Sequence, residues 1–453
     1  MQQEPSSFRD PSGFVFSQDA NIYRQVNKSY AETYDLFLQS GLCAALQDRG
    51  WLVAHEEVSG LTTANCYLTL QPEVIPFISY AYEWSFHQLK DAALLTLNIQ
   101  KLALEYGLTL KDASAYNIQF IRGQPILIDT LSFDRYQEGL PWVAYRQFCQ
   151  HFLNPLALMS RVDLRLGRNM LLDIDGISSE LTSALLPKRT KLAIGLCAHI
   201  HWQSMGMRVA NARPGTDGNV RISRVQLLGI ISNLTTTIQG LQPIRKSTVW
   251  HGYYDNTNYT AAACSHKEQL IKQWIERLAP KKVWDAGAND ARISQIASSK
   301  KIWTLATDID PYAIDDAYVM HDPYLLPLII DLANPTPAIG WENQERHSFL
   351  KRVSVDLVLA LALIHHLAIG YNLPMERIAE LFAKAGTYLI IEFVPKKDSK
   401  VQQLLSTRID IFDQYTQAGF EKAFMHYFEI IEYQKINQSE RIIYIMKRRN
   451  VLE

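Results

Sequence analysis

Residues 283–291 read Val-Trp-Asp-Ala-Gly-Ala-Asn-Asp-Ala, and the stretch Ala306-Thr-Asp-Ile-Asp310 follows them. Lys282, Val283 and Trp284 form the end of a short buried strand, and Asp285, Gly287 and Asn289 the tight turn after it. A helix is expected from Arg292 to Ser299. A strand that runs through a small-residue turn into a helix lets backbone N–H groups approach a ligand closely at the C-terminal edge of a parallel sheet. A second strand, Ile302–Thr307, ends in Asp308, whose carboxylate can accept both hydroxyls of a ribose. Dinucleotide-binding chains share this logic, but their Gly-x-Gly-x-x-Gly spacing is absent here.

Outward from this turn, strands alternate with helical stretches. A helix over Lys267–Leu278 precedes the first strand, and further strands are expected at Leu328–Ile330, Val355–Leu361 and Thr387–Phe393. The last pair, Phe428–Tyr433 and Arg441–Met446, reads as a hairpin around Asn437-Gln438-Ser439. The alternation predicts a doubly wound, Rossmann-like α/β domain. Several strand ends carry groups able to do chemistry: Asp285, Asp308, Asp331 with Leu332 beside it, the pair His365-His366, and Glu392. Each acid alone has an ordinary explanation, because turn aspartates cap helices or bond their own backbone.

In family order, these signals resemble a class I S-adenosylmethionine (SAM) methyltransferase. Asp285-x-Gly287-x-Asn289-x-Ala291 resembles its motif I, with Ala291 where the third Gly usually falls, and the terminal hairpin resembles the family's antiparallel sheet edge. The resemblance implies that Asp285 orients water or the methionine amino group, with Gly287 and Asn289 in the cofactor turn. It implies that Asp308 takes the ribose, and that Asp331 accepts from the adenine amine with Leu332 packed beside it. His365 and His366 would emerge where acceptor meets methyl group, suited to a general base, with Glu392 a second candidate. Upstream, Trp250–Tyr259 is dense in aromatics and is expected either as a lid contributing Tyr254 or Tyr259, or as a linker packed on the surface. The Asp/Asn-Pro-Pro-aromatic signature of amino methylation on nucleobases and glutamine is missing.

The N-terminal half carries a second pattern. Leu110-Lys-Asp-Ala-Ser-Ala-Tyr-Asn117 precedes two short strands, Ile118–Ile121 and Ile126–Asp129, around a Gly123-Gln124-Pro125 turn. Asp112, Asn117 and Asp129 at this spacing resemble the catalytic and metal-binding loops of kinase-like phosphotransferases. That resemblance implies an α+β domain with Asp112 as phosphotransfer base and Asn117 and Asp129 holding Mg²⁺ against ATP, if the site is active. Around it are expected a hairpin (Gly13–Phe16, Asn21–Val26), a helix over Ser29–Asp48, a strand Phe77–Tyr82, and helices at Gln88–Tyr106 and Trp142–Met159. No Gly-rich phosphate loop or strand lysine is evident; Arg24 takes the nearest place, with Glu32 a candidate partner. His199-x-His201 reads either as a metal pair on a strand or as a satisfied structural pair.

At 453 residues the chain suggests more than one domain. The expected division is a kinase-like domain over 1–204, a linker with a mobile, Arg-bearing loop over 205–249, and the methyltransferase domain over 250–453. A net charge of −1 gives no global case for binding nucleic acid or anionic membrane. The start has no signal-peptide character, the apolar run Leu357–Ile364 is too short to span a bilayer, and five scattered cysteines fit a reducing cytoplasm. The whole chain also resembles bacterial nodulation-related methyltransferase-like proteins. Three readings stand: methyl transfer from SAM to an unidentified acceptor, a bifunctional kinase and methyltransferase acting on a glycan or other hydroxyl, and a pseudoenzyme whose N-terminal domain recruits a partner. Oligomeric state is not encoded in any motif.

Overall fold

A computed structural model describes residues 2–19, 21–61, 63–205, 221–244 and 259–450. The chain divides into two compact units, Met1–Arg245 together with Ala338–His347, and Lys246–Pro337 together with Ser348–Glu453.

The first unit is α+β. Strands β1 (Gln2–Gln3), β2 (Gly13–Gln18), β3 (Asn21–Asn27), β4 (His55–Val58) and β5 (Cys66–Pro72) form an antiparallel sheet in the order β1-β2-β3-β5-β4. The expected helix over 29–48 is interrupted at Gly41, whose φ of 83° ends Ala31–Gln39 and starts Leu42–Asp48. Residues 77–82 do not form a strand. The Gln119 side chain takes their backbone bonds instead, accepting from the Ser79 N–H (2.8 Å) and donating to the Ser79 carbonyl (2.9 Å). Phe86–Glu105 is a helix begun by a Ser85/Gln88 capping box, burying Leu89, Leu97, Ile99 and Ala103. Two small antiparallel pairs follow, β6 (Leu108–Leu110) with β9 (Phe133–Arg135) and β7 (Ile118–Ile121) with β8 (Gln124–Leu127). The helix expected over 142–159 contains a π-helical turn at Cys149–Leu153. Pro155 lacks the N–H that would bond the His151 carbonyl, a physical reason for the shifted register.

Part of the expected linker is structured. Arg224–Gln239 is a helix of the first unit with Leu227, Ile231, Leu234 and Ile238 buried, and Lys90 donates to the carbonyls of its last residue, Gln239, and of Leu241 just beyond (2.9 and 2.8 Å). Most of the loop expected over 206–224, residues 206–220, and the aromatic segment up to 258, with Tyr254, lie outside the described residues.

The second unit is built on seven strands: β10 (Lys282–Ala286), β11 (Trp303–Asp308), β12 (Leu325–Ile329), β13 (Val355–Ala360), β14 (Gly386–Phe393), β15 (Phe428–Lys435) and β16 (Ile442–Arg448). Their order is β12-β11-β10-β13-β14-β16-β15; the first five run parallel, and β16 pairs antiparallel with both β14 and β15, so β16 alone runs against the rest. β12 begins at Leu325, earlier than its expected start, and includes Pro327, which an edge strand tolerates because one side of its backbone needs no partner. β10, β13 and β14 are largely buried, as strands covered on both faces must be. The chain reverses its direction of strand addition between β10 and β13, which opens a crevice at their C-terminal ends.

Candidate active site

The turn after β10 is held by backbone bonds to β11: the Gly287 and Ala288 N–H groups both donate to the Thr307 carbonyl (2.8 and 2.9 Å). Gly287 sits at φ 78°, and a Cβ there would lie 3.1 Å from Leu363. Asn289 (φ 50°) and Ala291 (φ 64°) are also left-handed. Ala291 therefore stands in a glycine-favouring conformation, at a cost of roughly 1–2 kcal/mol.

Two cavities open beside this turn, both within the second unit. The smaller, about 50 Å³, is lined by Tyr259, Lys267, Asp285, Gly287, Asn289 and Ala362 among others. The larger, about 300 Å³, is lined by Gly287, Asn289, Asp308, Ile309, Asp331, Leu332, Ala362, Leu363, His366 and Tyr371 among others. Gly287, Asn289 and Ala362 line both, so the turn is the wall they share. Asp285, Gly287, Asn289, Asp308, Asp331, Leu332 and Tyr259 thus come together around one crevice.

Asp285 is 2% exposed and accepts from Ser294 Oγ (2.6 Å). Burial pushes its carboxyl up to about 6, opposed by the Ser294 bond and the Lys267 charge. Asp308 accepts from the Asn289 N–H and the Asp310 N–H (2.9 Å each), and burial raises it to about 6 as well. Asp331 accepts from the Ala333 N–H (3.0 Å) at the rim of the larger cavity.

The two histidines separate. His366 lines the larger cavity and begins the π-helical turn His366–Gly370; burial, Arg441 and Lys400 lower it to about 4, so it is neutral at physiological pH. His365 is fully buried, lines neither cavity, and has no hydrogen-bond partner on either ring nitrogen among the described residues. Its ring lies 4.1 Å from that of His366, and burial with the His366, Arg441 and Lys267 charges holds it well below the usual histidine range. Glu392 is also fully buried. It accepts from Tyr259 Oη, Lys267 Nζ (2.6 Å), the Ala362 N–H (3.0 Å) and Arg441 Nη1 (3.3 Å). Arg441 in turn grips Asp398 through Nε (2.7 Å) and Nη2 (3.2 Å). Lys267, Asp398 and Arg441 carry no motif signal, and only the folded arrangement reveals them.

In the first unit, Asp129 is paired with the Arg24 guanidinium, and it also accepts from the Leu131 N–H (3.0 Å) and Ser132 Oγ (2.8 Å). Asn117 Nδ2 donates to the same Ser132 hydroxyl (3.2 Å). Asp112, beside them, accepts from the Ser114 N–H (2.9 Å), with its carboxyl raised by burial and by Asp129. Arg24 thus pairs with Asp129 rather than with Glu32. His199 and His201 lie on a π-helical turn, not a strand. His199 is bonded by Tyr145 and Asn233, and His201 by Ser183 and Thr190, so their four ring nitrogens are occupied within the protein. No group of three or more His, Cys, Asp or Glu among the described residues is placed to hold a metal ion.

The order of the seven strands, with the turn after the central β10 and acids at the ends of β10 and β11, defines a Rossmann-like α/β domain. No family model matches the chain. It is 34% identical over 457 aligned positions, covering 98% of this chain and 95% of the relative, to the nodulation protein NoeA of Rhizobium meliloti (strain 1021), and it belongs to the NoeA family. Among solved structures it is similar to magnesium protoporphyrin IX methyltransferase ChlM of Synechocystis PCC 6803 with bound SAH (16% identity, 44% of this chain, 92% of that one, TM-score 0.31). It is likewise similar to the N-methyltransferase NodS of Bradyrhizobium japonicum WM9 (8%, 42%, 97%, 0.31) and to WbdD (14%, 47%, 46%, 0.31). All three scores are low.

Proposed function

We propose that the second unit is a SAM-dependent methyltransferase. The observation that carries this reading is the set of complementary groups along one crevice: Lys267 and Asp285 on the small cavity, and Asp308, Asp331 and Leu332 on the large one, with the turn at Gly287 and Asn289 shared between them. A zwitterionic amino acid, a diol and an amine-bearing purine present matching chemistry. Lys267 would take the carboxylate, Asp285 the ammonium, Asp308 the ribose hydroxyls and Asp331 the adenine amine, with Leu332 against the ring. Gly287 supports the fit, because a side chain there would fill the approach to the turn.

When bound, SAM supplies a methyl group on a sulfonium, ready for in-line displacement. The residues then have to align the acceptor and exclude water. Ile330, Leu361, Leu363 and Leu367 make the rest of the large cavity mostly apolar, and beyond the two acids assigned to adenosine the titratable side chains lining it are His366 and Tyr371. His366 is uncharged at pH 7, and at about 4 it is a weak base, suited to orienting an acceptor hydroxyl or amine more than to holding its proton.

For the first unit, the residues that would hold Mg²⁺ and ATP do not fit that role. Arg24 already neutralises Asp129, and Ser132 ties Asp129 to Asn117. This favours a kinase-like fold used for binding over one used for phosphotransfer.

Calorimetric titration with SAM tests the assignment. The parent should bind one molecule per chain, and Asp308→Ala should lose a charge-assisted ribose contact, a drop of roughly ten- to a hundredfold in affinity. Equal affinity in a folded Asp308→Ala protein would overturn it.

A further inference from the structure

Glu392 accepts four hydrogen bonds, yet it lines neither cavity. Its oxygens accept from Lys267, Tyr259, Arg441 and the Ala362 N–H. Three of these four donors, Lys267, Tyr259 and Ala362, line the small cavity. Ala362 is left-handed (φ 49°) and lines the large cavity too, so its placement shapes the junction between them. The charges around the carboxylate balance: Lys267 and Arg441 face Glu392, and Asp398 takes the rest of Arg441. Both Lys267 and Arg441 also lie over the Tyr259 ring, at 5.2 and 4.5 Å from its centroid. Among the described residues the Lys267 ammonium has one hydrogen-bonding partner, Glu392, and Lys267 lines the small cavity.

We infer that Glu392 is a positioning residue for the amino-acid end of the cofactor. It aims the Lys267 ammonium at the ligand carboxylate and pins Ala362 at the turn, without touching the ligand or the reacting atoms. Because a lysine side chain has four rotatable carbons, a fixed buried anchor converts a mobile charge into a preorganised one. This rests on the SAM reading above.

The test compares S-adenosylhomocysteine with 5′-methylthioadenosine, which keeps the adenosine and lacks the amino-acid end. Both are titrated into the full-length parent, Glu392→Gln, Lys267→Met and the double variant, with circular dichroism and melting curves as a check on folding. In the parent, homocysteine-bearing ligand should be preferred. Glu392→Gln should reduce that preference tenfold or more while leaving methylthioadenosine affinity within about twofold. In the Lys267→Met background it should add nothing, since Glu392 acts through Lys267. If the amide variant does not fold, Glu392→Asp keeps the charge but withdraws it by one methylene, and carries the same expectation. An unchanged preference in a folded Glu392 variant, or a further full-sized loss in the Lys267→Met background, overturns the inference. Failure of the parent to bind either ligand overturns the methyltransferase reading itself, and the positioning role with it.

Discussion

At the scale of single residues, the crevice concentrates acids whose ionisation is held back. Asp285 and Asp308 are both pushed up to about 6 by burial. A cationic ammonium beside Asp285 favours its ionised form, so proton release accompanies binding below that value. SAM affinity should therefore be flat from pH 7 to 8 and fall as pH drops through 6, by up to about tenfold per unit for each acid that must ionise. Calorimetry across pH 5–8 checks this; affinity that is constant down to pH 5 contradicts it. The stability term has the opposite sense. A carboxyl raised from 3.8 to about 6 favours the fold while protonated, and that contribution is lost as pH rises through 6. At pH 8 the buried Asp285 charge costs of the order of 1–3 kcal/mol. Asp285→Asn should accordingly melt a few degrees higher than the parent at pH 8 while binding SAM more weakly. A lower melting temperature would show that the ionised carboxylate stabilises the site.

His366 offers a test that needs no acceptor. From the sequence, its titration is expected near the ordinary histidine value; the folded surroundings move it to about 4. Proton NMR of its ring should show the neutral form throughout pH 5.5–8. A midpoint near 6.5 would mean that burial and the Arg441 and Lys400 charges are not felt by the ring.

At the scale of elements, the strand–turn–helix around Gly287 carries the site. Gly287→Val combines a positive φ that β-branched residues resist with a contact 3.1 Å from Leu363. It should lower SAM affinity by at least tenfold and destabilise the fold by about 1–3 kcal/mol, measured by titration and denaturant unfolding. Affinity and stability both equal to the parent's would remove the turn from the site. This element was legible in the sequence because its signals are local: a buried strand, small turn residues and an acid at the next strand's end. The break at Gly41 and the irregular backbone at 77–82 were not, because a left-handed glycine and a side chain borrowed from Gln119, forty residues away, both override local pattern. Lys267 and Arg441 were missed for the same reason: nothing near them in sequence marks them as partners of Glu392.

At the scale of the whole molecule, the chain is less cleanly divided than its sequence suggests. Ala338–His347 lies between β12 and β13 yet belongs to the first unit, where Glu345 is 2% exposed and held by Arg9. Arg346 lies over the Tyr116 ring at 4.1 Å, and the His347 N–H donates to Tyr80 Oη (3.0 Å). A fragment starting at Lys246 would leave these groups without their partners, and it should melt below the second transition of the intact chain in calorimetric scans. An unchanged transition would show that the segment contributes nothing to stability. For the first unit, Arg24 paired with Asp129 leads to a further expectation: Mg-ATP at millimolar concentration should leave melting unaltered, whereas a ligand at a hundred times its dissociation constant would contribute about 2.7 kcal/mol. A clear shift would restore the bifunctional reading.

No described helix is long and apolar enough to cross a membrane. On the proposed reading, one crevice from Lys267 to Asp331 holds SAM. A crystal structure of the full chain soaked with S-adenosylhomocysteine tests it most directly. Ribose hydroxyls are expected on Asp308, adenine against Asp331 and Leu332, the amino-acid end between Lys267 and Asp285, and the sulfur facing the cavity that His366 lines. Density for the ligand elsewhere, or an empty crevice at saturating concentration, would contradict it.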